Sequence, residues 1–253
     1  MRKKIGELLA HYLSKPRNQA VQVATSAPEL FAQTLQPGDV LLVEGNTIAS
    51  TAIKYLTQSN WSHAALCVSD VLPTKGKEED RPHQLIEADT LDGVRCVELS
   101  HYNTFHTRIC RPVGLSPSEI QEVIGFAVSM LGHQYDLRNI FDLARFLLPK
   151  PPVPARYRRK LLAIGSGDPT QAICSSLVAQ AFQTIRYPIL PENVILKQDN
   201  PACMDCYREM LHIRHHSLFT PRDFDVSPYF KIVKPTLTPD FNFHNLQWAD
   251  HQL

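Results

Sequence analysis

The apolar positions along the chain change period several times, and each change marks an element. Ile5, Leu8, Leu9, Tyr12 and Leu13 recur at helical spacing over residues 3–13, and Ala27 to Leu35, after Ser26-Ala27-Pro28, predicts a second short helix. Together these form an N-terminal helical appendage, residues 1–35. The turn Gln36-Pro37-Gly38-Asp39 closes it, and the uninterrupted apolar run Val40-Leu41-Leu42-Val43 predicts a buried strand. Thr47 to Thr57 predicts a helix and Ser62 to Val68 the next strand. A charged loop from Leu72 to His83 leads into Gln84-Leu85-Ile86-Glu87-Ala88, and a further strand over Val94 to Leu99 follows the Asp92-Gly93 turn. With His106 to Pro112 these make a meander of antiparallel strands. Ser116-Pro117-Ser118-Glu119 starts a helix, with proline at the first helical position and an acid in the first turn, and that helix runs to about Leu131.

Beyond Gly132-His133-Gln134-Tyr135-Asp136 the pattern is helical to Leu148, then breaks at Pro149-Lys150-Pro151-Pro152-Val153-Pro154. That stretch lacks most backbone donors and is extended, so residues 137–171 read as an insertion. Cys174 to Thr184 is apolar with small residues throughout, the composition of a helix buried on most sides. After it, only Phe230-Lys231-Ile232-Val233 reads as a strand, and Thr236 to Leu253 is a polar, aromatic tail. The expected class is α+β, with one main domain over residues 36–235 and a tail over 236–253.

Composition narrows the function by exclusion. The 253 residues are 43% hydrophobic and 20% charged, as in an ordinary globular chain. Net charge is +1, from 26 basic and 25 acidic side chains, so no nucleic-acid partner is expected. Six cysteines, at 67, 96, 110, 174, 203 and 206, are too few and too scattered for a disulfide scaffold and fit a reducing compartment. Glu7 and His11 interrupt the N-terminus before an apolar run of signal length develops, so no export signal and a cytoplasmic location are expected. No apolar stretch approaches the roughly 20 residues that cross a bilayer, so no integral membrane span is expected.

Candidate chemistry centres on Cys174. A cysteine nucleophile needs a thiolate, and a helix N-terminus beside an imidazole supplies one. Cys174 follows the turn-rich Gly165-Ser166-Gly167-Asp168-Pro169 and opens the apolar helix Ser175-Ser176-Leu177-Val178-Ala179. There the dipole favours an anion, and the unpaired first-turn N–H groups suit a developing oxyanion. A cysteine in an apolar helix is ordinarily a small buried hydrophobe, as Cys67 is expected to be in its strand; position at a helix start sets Cys174 apart. His63 begins a strand and is followed by Ala64-Ala65, small enough to admit a packed helix. Glu87 lies in the apolar segment Leu85-Ile86-Glu87-Ala88, where a carboxylate needs a partner to offset its desolvation, and an imidazole N–H is one. Sulfur, imidazole and carboxylate then form a triad with Glu87 fixing the tautomer of His63. For His63 and Glu87 taken singly, a satisfied polar residue without catalytic role is an equal reading.

The order Pro37-Gly38-Asp39-Val40-Leu41-Leu42, Ser62-His63-Ala64-Ala65, Ile86-Glu87-Ala88 and Cys174-Ser175-Ser176-Leu177-Val178 resembles the circularly permuted NlpC-like (YiiX/YaeF-like) cysteine hydrolases of the papain-like superfamily. The histidine precedes the cysteine here, as the permuted branch requires, and the resemblance covers roughly residues 36–233. It implies a permuted papain-like fold, an antiparallel sheet or half-barrel packed against the cysteine-bearing helix, and a Cys-His-polar triad. It also implies a tyrosine that helps bind the oxyanion in a Gly-x-x-Tyr context, which Gly132-His133-Gln134-Tyr135 matches and which points to Tyr135. Some 38 residues separate Tyr135 from Cys174, so the intervening loop must return the chain to the same cleft.

The expected activity is cysteine-dependent hydrolysis of an amide or peptide bond through an acyl-enzyme, without a cofactor, on a small peptide or an acylated amino acid. Two alternatives stay open. One keeps the triad and takes a lipid, as a thioesterase or acyltransferase; Arg156-Tyr157-Arg158-Arg159-Lys160 reads ordinarily as a solvated helix face, and beside the apolar Phe141 to Leu148 it reads alternatively as a membrane-facing or acyl-chain-contacting edge for peripheral contact. The other is a non-catalytic binding module with structural zinc at Cys203 and Cys206, with His212, His215 and His216 nearby. A second cysteine pair or a standard finger spacing is missing, so no metal ligand is assigned. Oligomeric state is left open.

Overall fold

The computed structural model describes residues 11–16, 28–68, 83–89, 92–133, 173–197 and 207–235. Its strands are β1 (Val40–Val43), β2 (His63–Cys67), β3 (Gln84–Asp89), β4 (Gly93–Glu98), β5 (Thr107–Pro112), β6 (Glu192–Lys197), β7 (Tyr207–His212) and β8 (Phe230–Val233). Its helices are α1 (Pro28–Thr34), α2 (Ile48–Thr57), α3 (Pro117–Ser129), α4 (Ile173–Thr184) and the short α5 (Pro221–Asp225), with a 3-10 turn at Leu99–Tyr102.

Six strands form one open sheet in the order β4-β3-β2-β1-β5-β8, antiparallel at every pairing. Strand β1 is apolar at all four positions because both faces of the sheet are covered there. Val40 and Leu42 face one core with Ala64, Leu66, Ile86 and the α4 residues Leu177, Val178 and Phe182. Leu41 and Val43 face a second core with Ala65, Cys67, Leu85, Tyr102 and Phe31 of α1. The helix that carries Cys174 thus packs on the sheet, and Ala64 is among the small side chains that let it approach.

Local chemistry sets the boundaries. Thr47 caps α2, its Oγ1 accepting from the Ser50 N–H at 3.0 Å. Ser116 and Glu119 form a reciprocal capping box at the start of α3, with Pro117 next to the cap. Before β1, Gly38 takes φ +86°, a conformation glycine adopts without steric cost, and its N–H donates to the Cys67 carbonyl at 2.9 Å. Arg111 on β5 then clasps the buried Asp39 through Nε at 2.8 Å and Nη2 at 2.7 Å, anchoring the turn to the neighbouring strand. Burial still dominates at Asp39, and its carboxyl pKa lies above the ordinary value in spite of Arg111.

One stretch departs from the sequence pattern. The stretch after α4, expected to be loops before the last strand, contains the two-stranded sheet of β6 and β7 and the helix α5. Of the helix expected over residues 3–13, only 11–13 are described, with Leu13 buried. The expected insertion at 137–171 and the tail from 236 lie outside the described residues.

Candidate active site

The candidate residues come from separate elements that meet at one end of the sheet. His63 is the first residue of β2, opposite Val43 of β1. Glu87 lies on β3 between Ile86 and Ala88, which face the α4 side; by alternation its own side chain leaves on the other, with Leu85. The β2–β3 register pairs Leu66 with Ile86 and Cys67 with Leu85, which brings the start of β2 alongside Glu87 on the neighbouring strand. Nε2 of His63 lies 2.6 Å from Oε2 of Glu87. The Glu87 side chain is 3% exposed and that of His63 23%.

Cys174 lies in the first turn of α4, 5% exposed, close enough to His63 for the two to interact electrostatically. Since Nε2 is held by Glu87, Nδ1 is the nitrogen left for the sulfur. The next residue pins the turn: Ser175 Oγ donates to the Phe219 carbonyl at 2.8 Å, tying the start of α4 to the chain that leads into α5. On the other side, Trp61 fixes the approach to β2. Its Nε1 donates to Asp225 at 3.1 Å, and the Arg108 guanidinium, bound to the same carboxylate at 2.5 Å, lies 4.9 Å from the indole ring.

Electrostatics couple the three groups. Burial disfavours charge on the His63 ring, but the attraction of Cys174 and Glu87 outweighs it and holds the imidazole pKa well above the ordinary 6.5. Burial likewise opposes charge on Glu87, yet His63, Tyr102 and Arg95 together draw its pKa far below the ordinary carboxylate range. Arg95, directly opposite Glu87 on β4, reaches Oε1 through both Nε and Nη2 at 2.8 Å. The Tyr102 hydroxyl donates to Oε2. This arrangement can hold an imidazolium beside a sulfur and a fixed anion behind it.

Arg95 and Tyr102 are absent from the sequence reading. Arg95 had only a partial signal: Glu87 and Arg95 are each four positions from residue 91, the centre of the β3–β4 hairpin, so opposite charges face each other across it, whereas the Asp92-Gly93 turn read from the sequence would centre it later. Tyr102 had none, because it arrives through a 3-10 turn.

Tyr135 lies outside the described residues, as do Cys203 and Cys206. His215 Nδ1 is 2.7 Å from Ser217 Oγ, and His216 Nδ1 is 2.9 Å from Gln180 Nε2. Among the described residues, no group of three or more His, Cys, Asp or Glu side chains is placed to hold a metal ion. Among them, too, no helix is long and apolar enough to cross a membrane.

No family model matches the chain. It is similar to YaeF of Escherichia coli, described as a probable lipoprotein peptidase, with 24% identity over 191 residues. That match takes in 69% of this chain and 65% of YaeF, under two thirds of that protein's length. Among solved structures, the metalloprotein yiiX of Escherichia coli is 18% identical with a TM-score of 0.47, covering 79% of this chain and 97% of that one.

Proposed function

We propose that this chain, which resembles the YiiX/YaeF-like proteins, is a cysteine hydrolase of permuted papain-like fold that cleaves an amide or peptide bond through an acyl-enzyme. The observation that carries the proposal is the meeting of Cys174, in the first turn of a buried helix, with His63, whose ring is bonded in turn to the buried Glu87. The name of YaeF supports a peptide substrate.

In this reading Cys174 is the nucleophile, His63 the general base and acid, and Glu87 the group that orients the ring. The sulfur attacks the carbonyl carbon and forms the C–S bond while the π electrons move to oxygen. First-turn N–H groups of α4 stabilise that oxyanion, with Tyr135 as the further donor that the family resemblance implies. As the C–N bond breaks, His63 delivers its proton to the leaving amine. Water then attacks the thioester, His63 takes its proton, and the acid leaves as Cys174 is restored. Glu87 keeps its charge throughout, and its bond to Nε2 turns Nδ1 toward the sulfur.

The test is the alkylation rate of native protein with iodoacetamide, mapped by mass spectrometry, beside a screen of peptide amides and acyl esters. Cys174 is expected to react faster than Cys96, and His63→Ala to slow it. Cys174→Ala is expected to abolish turnover, and His63→Ala to lower it about 100- to 10,000-fold. Labelling of Cys174 no faster than of Cys96, unchanged in His63→Ala, would overturn the proposal. Turnover of long-chain acyl esters alone would move the substrate to lipid while leaving the triad.

A further inference from the structure

Glu87 is unusual in how completely it is used. An ionised carboxylate offers about four acceptor directions. On Oε1, Arg95 donates through Nε at 2.8 Å and keeps Nη2 at 2.8 Å as an ion-pair contact, and Oε2 takes the His63 ring and the Tyr102 hydroxyl. We propose that Arg95 and Tyr102 are positioning residues of the Cys174–His63–Glu87 line, a two-sided clamp that fixes the carboxylate plane so that Oε2 alone faces the imidazole. The inference rests on the catalytic reading above and goes beyond it by assigning work to two residues that do not touch the sulfur.

The physical need is clear from the side chain. The terminal torsion of a glutamate is broad, so a free carboxylate would rotate and present either oxygen to His63. Arg95 on Oε1 and Tyr102 on Oε2 together remove that freedom, because each oxygen is held by its own donor. Arg95 is itself held, by Asp92 through Nη1 at 2.5 Å and with Asp89 3.9 Å from Nη2. Its place opposite Glu87 in the β3–β4 register means that backbone pairing delivers it. Tyr102 is presented by packing: it is 3% exposed, with the rings of His101 and Phe105 at 5.0 and 5.9 Å. Burial and the Glu87 charge both push its hydroxyl pKa up, so it remains a donor across the working range.

The clamp has a consequence that mere structural support would not. Protonating Glu87 requires one of its donors to be displaced, so its charge, and with it the orientation of His63, persists into acid. The groups that face this carboxylate are His63 on β2, Arg95 on β4 and Tyr102 on the 3-10 turn; Cys174 on α4 lies beyond His63, and Asp89 and Asp92 lie behind Arg95. None of the last three donates to Glu87, so weakening the clamp leaves His63 as the main donor.

The experiment is the pH profile of Cys174 alkylation by iodoacetamide in the full chain, from about pH 4 to about pH 9, for wild type, Tyr102→Phe, Arg95→Gln and Arg95→Lys. Tyr102→Phe keeps the packed ring and removes only the donor. The acid limb is expected to move toward neutrality by about one pH unit in Tyr102→Phe and in Arg95→Gln, a roughly ten-fold slower reaction on that limb, with a smaller change at the plateau. Arg95→Lys, which keeps the charge but loses the fork, is expected to lie between. An unmoved acid limb in Tyr102→Phe and Arg95→Gln, with lowered thermal stability only, would overturn the clamp while leaving the catalytic reading intact. A wild-type Cys174 that labels no faster than in the urea-unfolded chain would overturn both.

Discussion

At the residue scale, the pair His63–Glu87 is where most is at stake, because a nearly buried carboxylate is tolerated only while paired. Its two members titrate in opposite directions. Glu87 is depressed below the ordinary 4.5, so its contribution to stability is fully present above that pH and lost as pH falls through the depressed value. His63 is raised above the ordinary 6.5, so its contribution is fully present below that pH and lost as pH rises through the raised value. Both contributions are complete between about pH 4.5 and 6.5. The melting-temperature gap between wild type and Glu87→Gln is therefore expected to be widest in that interval and to narrow on either side. Thermal melts of both proteins at a series of pH values check this; a gap that stays constant across pH would contradict it.

At the scale of elements, α4 does two jobs that make different demands on its sequence. Its first turn must hold Cys174 beside His63, whereas its later turns bury Leu177, Val178, Ala181 and Phe182 against the sheet. Phe182 is fully buried, with the rings of Tyr187 and Phe230 at 5.5 and 5.3 Å, so no neighbour can collapse freely into the space it would vacate. Phe182→Ala is expected to cost about 3–5 kcal/mol, read as a lower urea midpoint with an unchanged slope. Ser175 and Ser176 are buried as well, and the bond from Ser175 to Phe219 shows why a polar residue follows Cys174: it fastens the helix start to the segment before α5. The partner of Ser175 lies 44 positions away and had no local signal in the sequence.

For the whole molecule, the cysteines report on how the parts depend on one another. Cys67 and Cys110 are fully buried in the two cores on opposite faces of the sheet, and burial is the main reason the Cys110 thiol is pushed up to about 12. Cys96 is exposed on the edge strand β4. The six-stranded sheet lies between both cores, so loss of the sheet opens both faces together. Pulse labelling with N-ethylmaleimide across a urea series is expected to show Cys67 and Cys110 becoming reactive at a common midpoint, and any acceleration of Cys174 vanishing there. Two separated midpoints for Cys67 and Cys110 would show that the faces melt independently.

The hydrophobic pattern by itself determined the strands β1 to β5 and β8 and the helices α1 to α4 to within a few residues, since period, turn chemistry and caps are local. It also singled out Cys174, His63 and Glu87, each by a local anomaly: a thiol at a helix start, an imidazole at a strand start, a carboxylate in an apolar strand. Segments without a period, such as those of β6, β7 and α5, were illegible because no apolar rhythm announces them. Only tertiary structure decided what surrounds Glu87. Strand register placed Arg95 opposite it, and a 3-10 turn swung Tyr102 onto its second oxygen. Such distances depend on pairing between strands and on packing, neither of which is encoded in any window of neighbouring residues.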